Sequence, residues 1–198
     1  MRVLLASGSP RRRELLAQLG VEFSVVAPDI DESTVAGEGP VEYVRRLAGE
    51  KARAVAADAE TLVLAADTTV ELDGEILGKP TDDRDAATML RRLSARTHRV
   101  HTGVAARLAG AEVSEVVTSL VTFTPLTAAT IDWYVATGEP LDKAGAYAVQ
   151  GAGGVFVQRV RGSVSNVVGL PLHAVVRLVG DLGVDLLSLA GSDPSTAG

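Results

Sequence analysis

Three groups of residues in this sequence have types and spacings that could do chemistry. The first is Ser7-Gly8-Ser9-Pro10-Arg11-Arg12-Arg13. Small hydroxyl residues and a glycine meet arginines there, where the pattern turns helical. Free backbone N–H groups and the helix dipole favour an anion at such a point, and a guanidinium fork fits phosphate. The plainer alternative is a capping turn followed by a solvated charge run. The segment lacks the Gly-Lys-Ser/Thr end of a Walker A loop and is not Gly-x-Gly-x-x-Gly. The second group centres on Asp67, which follows the apolar run Thr61 to Ala66. A carboxylate there is costly unless it meets a metal, a cation or solvent; the alternative is an ordinary turn or helix-capping aspartate. Asp31 and Glu32 lie in an acidic, glycine-containing loop and could join Asp67 around a divalent cation. Mg²⁺ takes one or two carboxylates together with substrate phosphates and waters. The third group is the lysines. Of 19 basic residues only Lys51, Lys79 and Lys143 are lysine. A compact ammonium suits one phosphate oxygen in a tight site, against the alternative of three solvated lysines present by chance.

Other residue types offer less. His98 and His101 are three apart in a strand-like stretch, which points them to opposite faces, and His173 stands alone. There is no Gly-x-Ser-x-Gly elbow, and Ser163 and Ser165 have no evident His and Asp partners. Gly151-Ala152-Gly153-Gly154 could touch a phosphate but reads better as a flexible turn.

The elements that must carry these residues follow from periodicity. Val3 to Ala6 is a short buried strand ending in the Ser7–Pro10 turn. A helix runs from Pro10, with Leu15, Leu16 and Leu19 on one face and Gly20 at its C-terminus. Val21 to Val26 is a second strand, and Pro40 opens a helix to about Ala59. Thr61 to Ala66 is a strand ending at Asp67. Val70 to Leu72 and Glu75 to Leu77 flank the hairpin signal Asp73-Gly74. Asp82 to Ser94 is helical. Strands at Arg99 to Leu108 and Val113 to Phe123 join at Ala109-Gly110, and Thr127 caps a helix to about Ala136. A strand at Val155 to Val160 and a helix from Leu172 to Leu182 complete the pattern. Helices alternating with strands, with antiparallel hairpins inserted, predict an α/β protein with a mixed, twisted sheet.

Composition bounds the class. With 198 residues, 46% hydrophobic, the chain has one domain's worth of core, residues 1–190, and a small, polar tail at 191–198. A net charge of −6 and 4% aromatic content argue against binding a nucleic acid polymer. With no cysteine there is no disulfide, thiolate metal site or Cys nucleophile. No apolar run approaches membrane-span length and no export signal opens the chain, so a soluble cytoplasmic protein is expected.

Taken in order, the motifs resemble the Maf family of nucleoside triphosphate pyrophosphatases. The matching pieces are Leu5-Ala6-Ser7-Gly8-Ser9-Pro10-Arg11-Arg12, Asp31-Glu32-Ser33, Glu50-Lys51-Ala52, Ala66-Asp67-Thr68-Thr69-Val70 and Leu77-Gly78-Lys79-Pro80. Thr97-His98 through Thr102-Gly103-Val104 follow, then Glu139 through Tyr147 with Gln150-Gly151, and Val168-Gly169-Leu170-Pro171. Each motif is weak and the ordered set is specific. The resemblance implies a fold like that of the inosine triphosphate pyrophosphatases, a long mixed sheet with flanking helices and two lobes around a central cleft. It implies hydrolysis of a free nucleoside triphosphate to the monophosphate and pyrophosphate, with Mg²⁺ or Mn²⁺, in a homodimer. Asp67 falls on the family's proton-acceptor position. Arg11, Thr68 and Gln150 fall on positions associated with dTTP and UTP specificity, and the pattern of the 7-methyl-GTP sister group is absent. Ser7, Glu32, Lys51 and Lys79 match further polar site positions, with Glu32 and Asp67 as the expected metal ligands. A nucleotide-sensing binding protein would use the same pocket.

Overall fold

The computed structural model describes residues 1–191; the rest of the expected tail, 192–198, lies outside the described residues. The chain order is β1 (Arg2–Ala6), α1 (Pro10–Ala17), β2 (Ser24–Val26), α2 (Pro40–Ala54), β3 (Thr61–Leu72), β4 (Glu75–Leu77), α3 (Asp83–Leu93), β5 (Thr97–Leu108), β6 (Ala111–Phe123), α4 (Ala128–Val135), β7 (Val157–Arg161), α5 (Val164–Val168) and α6 (Leu172–Asp181). Among the described residues these strands form one seven-stranded sheet in the order β2-β1-β3-β5-β6-β7, with β4 paired to β3. β1 runs parallel to both its neighbours and the remaining pairs are antiparallel. This is the expected mixed sheet with helices on its faces.

The period of two along β3 and β5 distributes the core. Leu62, Leu64 and Ala66 of β3, with Val104 and Ala106 of β5, face one apolar cluster, which α1 and α6 complete through Leu15, Leu16, Val175 and Val179. Further along the same face Val70, Leu72 and Val100 enter a second cluster with α3, α4, Phe123, Tyr134 and Phe156. Thr68 and Thr102 stand between the two. On the opposite face Val63 and Ala65 pack under Ala48 and Ala52 of α2.

Several boundaries differ from those expected. β3 does not end at Asp67. It continues to Leu72, and its ladder with β5 is unbroken from Val63↔Arg107 to Glu71↔Arg99, with Asp67 opposite Gly103. The β-favouring Thr68-Thr69-Val70 carries the strand on, and the Asp67 carboxylate is satisfied by a cation rather than by a chain reversal. What does end there is the strand beside it: β1 pairs only as far as Ala6↔Ala65, and β4 joins only from Val70. The stretch Ala66 to Thr69 therefore borders a gap in the sheet, and the Ser7–Pro10 turn leaves from that gap. α2 stops at Ala54, short of Ala59. Residues 152–156 form a 3₁₀ turn, so β7 begins at Val157 rather than Val155, and α5 was not anticipated.

Candidate active site

A cleft of about 560 Å³ opens at this gap. The eight residues that the resemblance places in the site, Ser7, Arg11, Glu32, Lys51, Asp67, Thr68, Lys79 and Gln150, all line it, as does Lys143, whereas Asp31 does not. Five cations and three carboxylates face it, so the cleft is locally basic in a chain of net charge −6.

At its centre the Lys51 Nζ lies 2.6 Å from Asp67 Oδ1 and 2.6 Å from Glu32 Oε1. The lysine and aspartate side chains are 6% and 10% exposed, and that of Glu32 is 47% exposed. Lys51 reaches Asp67 because it sits in the buried stripe of α2, among Val44, Leu47, Ala48 and Ala52. A lysine at core register is itself a sequence signal of a buried partner. The approach of α2 to the sheet depends on Gly103: a Cβ there would lie 2.1 Å from the Val44 carbonyl oxygen. No other residue permits that contact. Glu32 is fixed by the same helix. Tyr43 Oη donates to the Glu32 carbonyl at 2.9 Å, and Arg46 donates to the Ser33 carbonyl and to Glu38. Partial burial opposes ionisation of Glu32, but the hydrogen bond and charge of Lys51, helped by Lys79 and Arg12, outweigh it and hold its pKa below the ordinary value. Burial, with the charges of Asp67 and Glu32, pushes the Tyr43 phenol up to about 12. Asp31 does not join the carboxylates; it turns back to accept the Ser33 N–H at 2.9 Å.

The turn after β1 supplies the second wall. Pro10 occupies the first helical turn of α1, where its missing N–H has no cost. Ser7 is buried, and its Oγ accepts from the Ser9 N–H at 3.2 Å and from Arg12 Nη1 at 3.3 Å. With both acceptor positions used, its own proton is left for a ligand. Arg12, not singled out beforehand from its neighbours in the arginine run, is the structural centre of this wall. Its Nε donates to the Gly169 carbonyl at 2.8 Å and its Nη2 to Thr68 Oγ1 at 3.1 Å. Burial draws its pKa down against the opposing charge of Asp67. Arg11 lines the cleft on the side of the third wall, 3.6 Å from Asp142.

The polarity of the Thr68 hydroxyl follows from this network. Thr102 Oγ1 donates its only proton to the Asn166 carbonyl at 3.0 Å, so in its 2.9 Å bond with Thr68 it must accept. Thr68 has then spent its proton on Thr102 and receives Arg12. Towards a ligand Thr68 can only accept, or offer its methyl group. Thr102 and the buried Asn166 were not picked out in the sequence. Nothing in their local pattern marks them; only the strand pairing brings them there.

The third wall is the segment between α4 and β7. Lys143 donates to the Glu139 carbonyl at 2.7 Å and pairs with Asp142. Gly145, at φ 70°, donates to the Gly78 carbonyl at 3.0 Å, tying this wall to the loop that carries Lys79. Gln150 is exposed along the cleft. Residues 151–154 are not the flexible turn expected: the Ala152 and Gly153 N–H groups are bonded to Glu139, and those of Gly151 and Gly154 to the Ala148 and Gly151 carbonyls. His98 and His101 face opposite sides, as expected. His98 bonds Tyr147, and His101 bonds Glu71 and Thr118.

Among the described residues no cluster of three or more His, Asp or Glu side chains could hold a metal alone. Glu32 and Asp67 nevertheless converge on one cation, which fits an ion completed by phosphate oxygens and water. No helix among the described residues is long and apolar enough to cross a membrane.

Known proteins resemble this chain in sequence and in fold. A dTTP/UTP pyrophosphatase of Anaeromyxobacter dehalogenans (strain 2CP-C) is 57% identical over 189 residues, covering 93% of this chain and 96% of that protein. A dTTP/UTP pyrophosphatase of Myxococcus xanthus (strain DK1622) is 57% identical over 186 residues, covering 93% and 94%. The fold is similar to that of a HAM1 protein from Coxiella burnetii, with a TM-score of 0.50 and 17% identity over 92% of this chain and 98% of that one. Residues 2–182 match the family model described as Maf-like protein, and the chain belongs to that family.

Proposed function

We propose that this chain hydrolyses dTTP and UTP to the monophosphate and pyrophosphate. The observation that carries this reading is the Lys51 ammonium held between Glu32 and Asp67 inside a cation-lined cleft, in a chain whose relatives bear that activity in their names. Water attacks the α-phosphorus and the α–β anhydride P–O bond breaks, releasing pyrophosphate. Asp67, whose Oδ1 is engaged by Lys51, accepts a hydrogen bond from the attacking water through its other oxygen and so aims it. The Ser7 hydroxyl, Arg11, Lys79 and Lys143 neutralise the phosphate chain and the charge that gathers on the leaving pyrophosphate. Glu32 and Asp67 would hold Mg²⁺ or Mn²⁺, which when bound supplies further charge neutralisation at the phosphates.

Gln150 presents a carbonyl and an NH₂ that match N3–H and O4 of uracil or thymine, whereas cytosine presents the opposite pattern. A mismatched polar edge costs about 1–3 kcal/mol, or about 5- to 150-fold in discrimination. A pocket that reads only those two positions also admits pyrimidines modified at C5, which suits a house-cleaning role. The same reading makes the protein a cytoplasmic homodimer acting on free nucleotides, supported by its acidity and by the family resemblance. The test is pyrophosphate release from a nucleotide panel with Mg²⁺ and with Mn²⁺. Turnover of UTP and dTTP at about 1 s⁻¹ or more is expected of an enzyme. Binding without turnover, or equal turnover of CTP and UTP, would overturn it.

A further inference from the structure

The segment from Glu139 to Phe156 brings Gln150 to the cleft between short 3₁₀ turns, with no strand or α-helix to hold it. Around Gln150 a carboxylate–phenol pair gathers the backbone on both sides of that residue. Tyr134, fully buried on α4, donates its hydroxyl proton to Glu139 Oε1 at 2.7 Å, and the same hydroxyl accepts the Ala148 N–H at 3.1 Å. The Glu139 carboxylate accepts the Ala152 N–H at 3.0 Å on Oε2 and the Gly153 N–H at 3.1 Å on Oε1. The backbone two residues before Gln150 and the backbone two and three residues after it are thus fastened to the same two side chains.

The fit is close. A Cβ at Gly151 would lie 2.3 Å from Glu139 Oε2, and one at Gly153 would lie 2.7 Å from the Tyr134 oxygen. The Tyr134 ring meets Phe156 edge-on at 4.8 Å, so the phenol is fixed from its apolar side as well. Partial burial opposes ionisation of Glu139, but the bonds from Tyr134, Gly153 and Ala152, with the charge of Lys143, outweigh it. Both of its oxygens therefore serve as acceptors, which the clamp requires. Gln150 itself is exposed, so how far its amide can reach into the cleft depends on where its backbone is held.

We propose that Tyr134 and Glu139 are positioning residues for base discrimination, holding the Gln150 backbone where its amide reaches the pyrimidine edge. This rests on the reading that Gln150 recognises the base. Neither residue need touch substrate. A loosened clamp lets Gln150 draw back from the base edge, so the selectivity falls while the phosphate-binding walls stay where they are.

The experiment measures kcat and KM for UTP and CTP, with amide hydrogen exchange over residues 148–153, in the full-length protein and in Gln150→Ala, Glu139→Gln and Tyr134→Phe. Gln150→Ala is expected to bring the UTP:CTP ratio of kcat/KM close to one. Glu139→Gln places an NH₂ against a backbone N–H. It is expected to lower the ratio at least about 5-fold, mainly by raising KM for UTP, and to speed exchange across the segment about 10-fold or more. Tyr134→Phe loses both of its bonds while filling the same space, and carries the same expectation should Glu139→Gln not fold. If Gln150→Ala relaxes the ratio while Glu139→Gln and Tyr134→Phe keep the wild-type value, the positioning role is wrong and the reading of Gln150 stands. If Gln150→Ala keeps the wild-type ratio, base recognition by Gln150 is wrong and the clamp falls with it.

Discussion

Replacing Lys51 with methionine isolates the charge cluster at the centre of the cleft. Methionine is similar in length and flexible enough to keep the packing of α2 on β3, so the change removes little besides the ammonium. Two ion pairs are lost, and they are unequal. Glu32, at 47% side-chain exposure, can turn to water, so its share is under about 1 kcal/mol. Asp67 has no such escape: its side chain is 10% exposed, and stripping the partner from a buried pair costs about 3–5 kcal/mol. A total near 4 kcal/mol corresponds to about 8–16 °C in Tm for a chain of this size. Urea and thermal unfolding at pH 7, followed by circular dichroism, measure it. The double variant Lys51→Met/Asp67→Asn leaves no buried ion unpaired and should recover more than half of the loss. Mg²⁺ or Mn²⁺ should stabilise Lys51→Met at lower concentration than the wild type, since the carboxylates no longer hold an ammonium; at about 100 times its Kd the ion adds about 2.7 kcal/mol. A loss below about 1 kcal/mol, or a double variant no more stable than the single one, would refute the assignment of the cluster as a coupled buried unit.

Asp67→Asn removes the carboxylate proposed to aim the water and is expected to abolish pyrophosphate release; more than a tenth of wild-type turnover, with tight triphosphate binding, contradicts that role. Gly103→Ala drives a methyl group into the Val44 carbonyl and must lift α2, so activity and stability should fall together, with a loss of about 3 kcal/mol or failure to fold in the same unfolding assay. His98 is buried, and burial draws its pKa down to about 4 from an ordinary value near 6.5. The unfolded chain therefore binds the extra proton between pH 6.5 and 4, and stability falls by about 3 kcal/mol as the pH drops through that window. His98→Gln should flatten this part of the pH profile of the urea midpoint; an unchanged slope would assign the loss to other groups.

The elements of this fold were largely legible because hydrophobic periodicity is local. The Leu15–Leu16–Leu19 face, the hairpins at Asp73-Gly74 and Ala109-Gly110, and the helix capped at Thr127 all stand where their spacing put them. The errors fall where a tertiary contact overrides the local pattern. Asp67 looked like a strand end because a charge after five apolar residues ordinarily marks one. Lys51, 16 residues away, makes it a strand interior.

Membership of the cleft was also readable, since residue type and order named eight of its lining residues. Their interactions were not. Lys51 rather than a second carboxylate meets Asp67, and Glu32 joins it while Asp31 turns away, because the position of α2 on the sheet is set by the Gly103 contact. The direction of the Thr68 hydrogen bond depends on Thr102 and Asn166, 34 and 98 positions along the chain. The hold on Gln150 depends on a tyrosine from α4. Sequence by itself determined which side chains could be present and which segments could be strands or helices, because those follow from composition and short-range period. Hydrogen-bond directions and ion pairs were decided only by the tertiary structure. They depend on separations of a few tenths of an ångström between residues that only packing brings together.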